Sequence, residues 1–148
     1  MKIERTLDLG LCLSILTNEK IFNDISEDNL TFNDIKIDVL TEYWLKFQTE
    51  KEVIGIVQLK PMFTNCFDLH IHILPEHRKE YTLKAGDALD VWLMENMKGN
   101  LIHACIPVFC KSVIAFTESF GFKYSGDLKG AWLKNGKQND MKIYTRAY

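Results

Sequence analysis

The stretch from residue 66 to residue 106 constrains this chain most, because its hydrophobic period changes twice there. In Cys66–Leu74, the residues Phe67, Leu69, Ile71 and Ile73 alternate with Asp68, His70 and His72. That two-residue period is a strand with one aliphatic or aromatic face and one ionisable face. In Thr82–Met97 the apolar positions become Ala85, Ala88, Leu89, Trp92, Leu93 and Met97, all on one side of a helix. Lys84, Asp87, Asp90 and Glu95 fall on the other side. Leu101–Ile106 is then nearly all apolar, the composition expected of a strand covered on both faces. Strand, helix and strand in succession close by a right-handed crossover, so the two strands should lie parallel in one sheet.

The flanking segments extend that sheet. Met1–Thr6 reads as a short first strand. Leu7–Thr17 reads as a helix with Leu9, Leu13 and Leu16 on its apolar side and Asp8 near its start. Residues 18–33 are rich in Asn, Asp, Glu and Ser and predict short helix and loop over a surface. Ile35, Ile37 and Val39 alternate as a strand would, and Tyr43–Gln48 with Val53–Lys60 form a hairpin around Thr49–Glu52. Further on, Val113, Phe116 and Phe120 line a short helix that Gly121 ends in a left-handed conformation. Lys134, Asn135 and Gly136 supply turn chemistry between strands at Phe122–Leu133 and Asp140–Arg146. The expected class is α+β: a mixed, mostly antiparallel sheet flanked by helices. No repeat or Pro/Gly-rich linker divides it, so one domain is expected over residues 1–148.

Composition excludes some functions. A net charge of −2 argues against a general nucleic-acid binder. No apolar run approaches the ~20 residues of a membrane span. Cys12, Cys66, Cys105 and Cys110 form no C-x-x-C pair and no secretory leader precedes them, which predicts reduced thiols in the cytoplasm. His103, Cys105 and Cys110 match no common zinc spacing and read as buried strand residues, so no metal is expected.

The words "ILPEHRKEYTLKAGDAL", "IHACIPVF", "FTESFGFK" and "NGKQND", in that order, resemble the GNAT superfamily of acetyl-CoA-dependent N-acetyltransferases. The resemblance covers about Val53–Tyr144. "YTLKAGDALDVW" is similar to the "Y-A-T-E-A-x-x-A-L-x-x-W" of the branch that acetylates ribosomal-protein amino termini. Asn135, Asp140 and Tyr144 match that branch's ending "N-G-x-x-x-D-x-x-x-Y" and read as hairpin structure. "ILTNEKIFNDIS" and "WLKNGK" also look like small GNAT-fold proteins of tailed bacteriophages, which would place the chain in a host cytoplasm or a virion.

The resemblance implies that Cys66–Leu74 and Leu101–Ile106 splay apart. The pantetheine of acetyl-CoA (coenzyme A) would pair in the gap like an added strand, along Ile71 and Ile73. Its diphosphate would sit where free N–H groups open the following helix, at Arg78, Lys79, Glu80, Tyr81 and Thr82. The family's turn there, R/Q-x-x-G-x-G/A, keeps its first residue as Arg78 but has no glycine after it. Arg78 and Lys79 offer charge instead, or form a solvated basic turn. Cys110 stands where the family has a pantetheine-binding Asn, and Thr117 where many members carry a tyrosine that protonates the leaving thiolate.

Direct acyl transfer needs an uncharged amine and a route for its proton. Asp68, His70 and His72 share a strand face near the implied splay. His70 is the first candidate for the base, since imidazole titrates in the working range. Asp68 would orient it or accept protons itself, and His72 completes the set. The alternative is a polar strand face covered by loops. Two functions follow: transfer of an acetyl group to a primary amine of a peptide, protein or small molecule, or a degenerate fold acting through its surface in a phage particle or on its host. Leu7–Asn33 and Lys129–Asp140 would shape an acceptor pocket, and the apolar last strands would allow a homodimer.

Overall fold

The computed structural model describes residues 1–148. In chain order the elements are β1 (Lys2–Arg5), α1 (Leu9–Leu16), α2 (Glu19–Ile25), β2 (Tyr43–Gln48), β3 (Val53–Phe63), β4 (Cys66–Ile73), α3 (Arg78–Asn96), β5 (Leu101–Pro107), α4 (Lys111–Ser119), β6 (Lys123–Lys134) and β7 (Lys137–Ala147). The strands form one seven-stranded sheet in the order β1-β2-β3-β4-β5-β7-β6. Only β4 and β5 run parallel; every other pairing is antiparallel. The α+β class and the parallel pair expected from the sequence are both present. No helix is long and apolar enough to cross a membrane.

Each face of the sheet buries its own apolar cluster. On one face Leu89 and Leu93 of α3, with Met97 just past its end, pack with Phe47, Val57, Leu59, Ile102 and Tyr144. On the other, Cys12, Ile15, Leu16 and Ile21 of the first two helices cover Trp44 and Ile56. Helices α3 and α4 meet at Gly86, where an added Cβ would lie 2.6 Å from Phe120 Cε2 and 2.9 Å from Phe116 Cζ. All four cysteines are free thiols.

Four expectations change. Asp8 does cap α1, accepting a hydrogen bond from Leu11 N at 2.9 Å, but the buried face is Cys12, Ile15 and Leu16. Leu9 and Leu13 face outward. Ile35, Ile37 and Val39 find no partner strand; their alternation seats them on the Cys12 cluster instead. The following Asp38 carboxylate takes the amides of Leu40 and Thr41 and turns the chain into β2. β5 is covered on one face only: Ile102, Ala104 and Ile106 are buried, while Leu101, His103 and Cys105 point the other way.

The fourth change bears on function. Helix α3 starts at Arg78, four residues before the expected Thr82, directly after a single 3-10 turn at Pro75–His77. Proline fixes the entry geometry, and Arg, Lys, Glu and Tyr then propagate a helix that glycines would have interrupted. The segment expected as a phosphate loop is the helix's own first turn.

Candidate active site

The parallel ladder between β4 and β5 has three rungs: Cys66 with Leu101, Phe67 with Ile102, and Asp68 with His103. Beyond the last rung the strands part. From Leu69 to Ile73, β4 stays paired with β3, and from Ala104 to Pro107, β5 stays paired with β7. Their facing edges therefore carry free backbone donors and acceptors, the condition under which an extended ligand adds as a strand. Ile71 and Ile73 lie on the unpaired stretch, their side chains turned into the core on the α3 side.

At the open end of the gap stand the first turn of α3 and the start of α4. His77 caps α3 without a side-chain hydrogen bond, so nothing from the side chains occupies the amides of that turn. Lys79 and Glu80 are exposed. The Tyr81 ring packs edge-on against His77 at 5.9 Å and carries Lys84 Nζ at 5.0 Å. Thr82 turns its hydroxyl back to Arg78 O at 2.6 Å.

Arg78 is already engaged. Its Nε donates to Ile73 O at 3.0 Å and its Nη1 to Asp24 Oδ2 at 2.9 Å, tying the end of β4 to α2. Cys110 sits at the start of α4 with its N–H on Pro107 O. Burial raises its thiol pKa, and the charge of Asp24 adds to that.

On the face away from α3, Asp68 lies between two imidazoles. Its Oδ2 meets His70 Nε2 at 2.8 Å and its Oδ1 meets His103 Nδ1 at 2.8 Å. Burial pushes the Asp68 carboxyl up, but the hydrogen bonds from His103 and His70 outweigh it and hold the group well below the usual carboxylate range. Since the carboxylate only accepts, each facing ring nitrogen carries a proton, which leaves His70 Nδ1 with its lone pair when the ring is neutral. The His70 side chain is 41% exposed, against 15% for His103. Gln58 stands opposite His70 on β3, and its amide donates to Glu42 Oε2 at 2.7 Å. The trio is not arranged to hold a metal ion.

His72 shares the face but not the environment. Its ring lies parallel to that of His70, 6.3 Å away, yet the residue is 6% exposed. Burial, with the charges of His70 and Arg78 behind it, pushes its pKa down to about 3. It therefore stays neutral where an acetyl-transfer base must work. A depressed imidazole contributes stability above its unfolded pKa of ~6.5 and loses that contribution as pH falls toward the folded value. The melting temperature should fall steadily from pH 6.5 to pH 3, and His72→Gln should flatten that slope. Identical slopes in the two proteins would show that another group governs it.

His103 was missed from the sequence because β5 reads as an apolar core strand. The signal was present in the parity of Leu101, His103 and Cys105, which share a face, but the register that sets His103 beside Asp68 was not.

The proposed acceptor side is a clasp. Asp28 accepts the turn amides of Asn135 and Gly136 at 2.8 and 2.7 Å, and Glu27 accepts Leu133 N at 2.8 Å. Lys134 Nζ reaches back to Asn23 O and Ser26 O at 2.6 and 2.8 Å. A cavity of about 380 Å³ opens beside it between Glu19, Phe22, Phe32 and Lys134, and its lining includes none of the Asp68 trio. Asp140 accepts Gly130 N at 2.9 Å and braces the bulge between Leu128 and Trp132, while buried Tyr144 donates to Glu118 at 2.8 Å. Asp140 thus bonds within the last hairpin, and Tyr144 ties that hairpin to α4.

A mixed seven-stranded sheet, helices on both faces and one splayed parallel pair make up the GNAT fold. Solved structures agree. Spermidine N-acetyltransferase from Vibrio cholerae, solved with CoA and spermine, superposes with a TM-score of 0.76 at 21% identity, over 98% of this chain and 94% of that one. Ribosomal-protein-alanine N-acetyltransferase from Brucella melitensis gives 0.70 at 20% identity over 100% of both chains. The smu.2055 protein of Streptococcus mutans gives 0.75 at 12% identity over 99% of each. The sequence itself matches no protein-family model and no curated protein.

Proposed function

We propose that this protein is an acetyl-CoA-dependent N-acetyltransferase that passes its acetyl group directly to a primary amine. The observation that carries this is the parting of β4 and β5 immediately beyond Asp68 and His103, with the Asp68–His70 pair beside the vertex. Pantetheine would pair along the free edge at Ile71 and Ile73 and pass Cys110 at the mouth. The diphosphate would rest on the first-turn amides of α3 at Lys79 and Glu80, which precede the first intrahelical donor, with the Lys79 ammonium beside them. The structures of similar fold include enzymes named for spermidine and for a ribosomal-protein alanine, both primary amines, which supports the amine class.

Before the transfer step His70 Nδ1 takes the extra proton of the ammonium while Nε2–H stays on Asp68, and the imidazolium later releases it to solvent. The free amine nitrogen then attacks the thioester carbonyl carbon. As the C–S bond breaks with its electron pair on sulfur, the thiolate takes, through water, the proton that the new amide nitrogen loses. Thr117 is buried on α4 and has no part in this.

The direct test is thermal unfolding with acetyl-CoA. Ligand at ~100 times its Kd adds about 2.7 kcal/mol to the unfolding free energy. For a chain of this size that should raise Tm by roughly 5–10 °C. No shift at millimolar acetyl-CoA would sink the proposal and favour a fold that acts through its surface.

The Arg78–Asp24 ion pair gives a second expectation. A diphosphate arriving at α3 competes with Asp24 for Arg78, so Asp24→Asn should tighten acetyl-CoA binding. An exposed pair contributes about 0.2–1 kcal/mol, hence a gain of roughly 1.5- to 5-fold by titration calorimetry. Weaker binding by this variant would place the diphosphate away from Arg78.

A further inference from the structure

We propose that His103 is a positioning residue: through Asp68 it fixes the tautomer and orientation of His70 and staples the strands at the point where they part. This rests on His70 being the base of the proposed transfer.

The two oxygens of Asp68 each hold one imidazole nitrogen at 2.8 Å. The terminal torsion of an aspartate is broad and soft when only one oxygen is held. With His103 on Oδ1, that rotation is closed off, and Oδ2 stays aimed at His70 Nε2. The carboxylate then specifies which nitrogen of His70 is protonated and which keeps its lone pair. His103 is also Asp68's partner on the last ladder rung. Their side-chain hydrogen bond is thus the final tie between β4 and β5 before the gap begins, and it sets how far down a thioester can descend.

Other titratable groups surround the trio. Lys60 stands opposite Asp68 on β3, and the Cys66 and Cys105 thiols flank the pair along β4 and β5. On β7 the group facing His103 is the uncharged Thr145. None of these takes the Asp68 carboxylate as a hydrogen-bond partner, so the orientation is set by His103.

The test compares three variants. His103→Asn keeps an N–H near the position of Nδ1, His103→Gln moves it farther out, and His103→Leu removes it. Long-range proton–nitrogen NMR of the ligand-free protein reads the His70 tautomer without any acceptor. The wild type and His103→Asn should show neutral His70 protonated at Nε2, and His103→Gln and His103→Leu should show a mixture. With spermidine as the acceptor probe, kcat should fall about 10-fold or more in the Gln and Leu variants, because a misplaced catalytic group can cost up to ~10²-fold, and recover in Asn. In His103→Asn, which keeps the tie, acetyl-CoA affinity should change little.

An unchanged His70 tautomer in His103→Gln and His103→Leu would overturn the proposal. So would equal impairment in Asn and Gln, which would mark His103 as packing alone. Should His103→Leu fail to fold, the Asn–Gln pair still decides. A wild type that binds no acetyl-CoA would remove the transferase function, and the tautomer measurement would still read what His103 does.

Discussion

His70→Ala is expected to lower kcat for acetyl transfer about 10²- to 10⁴-fold at pH 7, the range over which a positioned general base contributes. The expectation follows from the His70 side chain: its Nε2 is committed to Asp68 and its ring is the most open of the three imidazoles on that face. Most of a primary amine is protonated at neutral pH, so turnover there requires the proton to be removed at the site. Above pH 9 the free amine becomes abundant and the deficit should narrow. A pH profile of kcat in wild type and variant measures this. Equal rates at neutral pH would remove His70 from the chemistry while leaving the coenzyme gap intact.

Gly55→Ala should have the largest effect on stability. Gly55 sits opposite Ile73 in the β3–β4 ladder, and an added Cβ would overlap the backbone carbonyl oxygen of His72 and lie 3.0 Å from Ile73 Cα. At Gly86 the obstruction is the tips of phenyl rings, which can tilt. At Gly55 it is main chain, and relief requires moving β4 as a whole. We expect a loss of about 2–3 kcal/mol, in the range for overpacked interiors. That corresponds to a Tm lower by roughly 4–12 °C. Because the displaced stretch is the one whose other edge borders the gap, acetyl-CoA affinity should fall with it. A variant as stable as the parent would mean that β4 yields at no cost, and the edge would not be a rigid one.

Local pattern carried much of this architecture. The alternation of β4, the apolar series of α3 and the turn at Asn135 and Gly136, with φ of 54° and 70°, were readable because each depends on neighbouring residues. Gly121 ends the α4 segment at φ 77°, as its place after Phe120 implied. What the sequence hid depends on partners far along the chain. Ile35, Ile37 and Val39 have a strand's period, but a strand needs a neighbour, and the sheet edge is filled by β1. The start of α3 was placed four residues late because the apolar series that marks the helix begins only at Ala85, whereas its first turn, from Arg78 to Tyr81, buries no residue fully. His103 needed the parallel register, which brings together residues whose sequence spacing gives no hint of contact.

The sheet order has a consequence for synthesis. β7 follows both strands that flank it, yet it is seated between β5 and β6. While a ribosome is still short of residue 137, β5 has a bare edge on the side that β7 will occupy and, beyond His103, on the β4 side as well. Such an unaccompanied apolar ribbon is the form most open to pairing with another nascent chain. The interval between delivery of β5 and delivery of β7 is therefore when a holding chaperone matters most to this polypeptide.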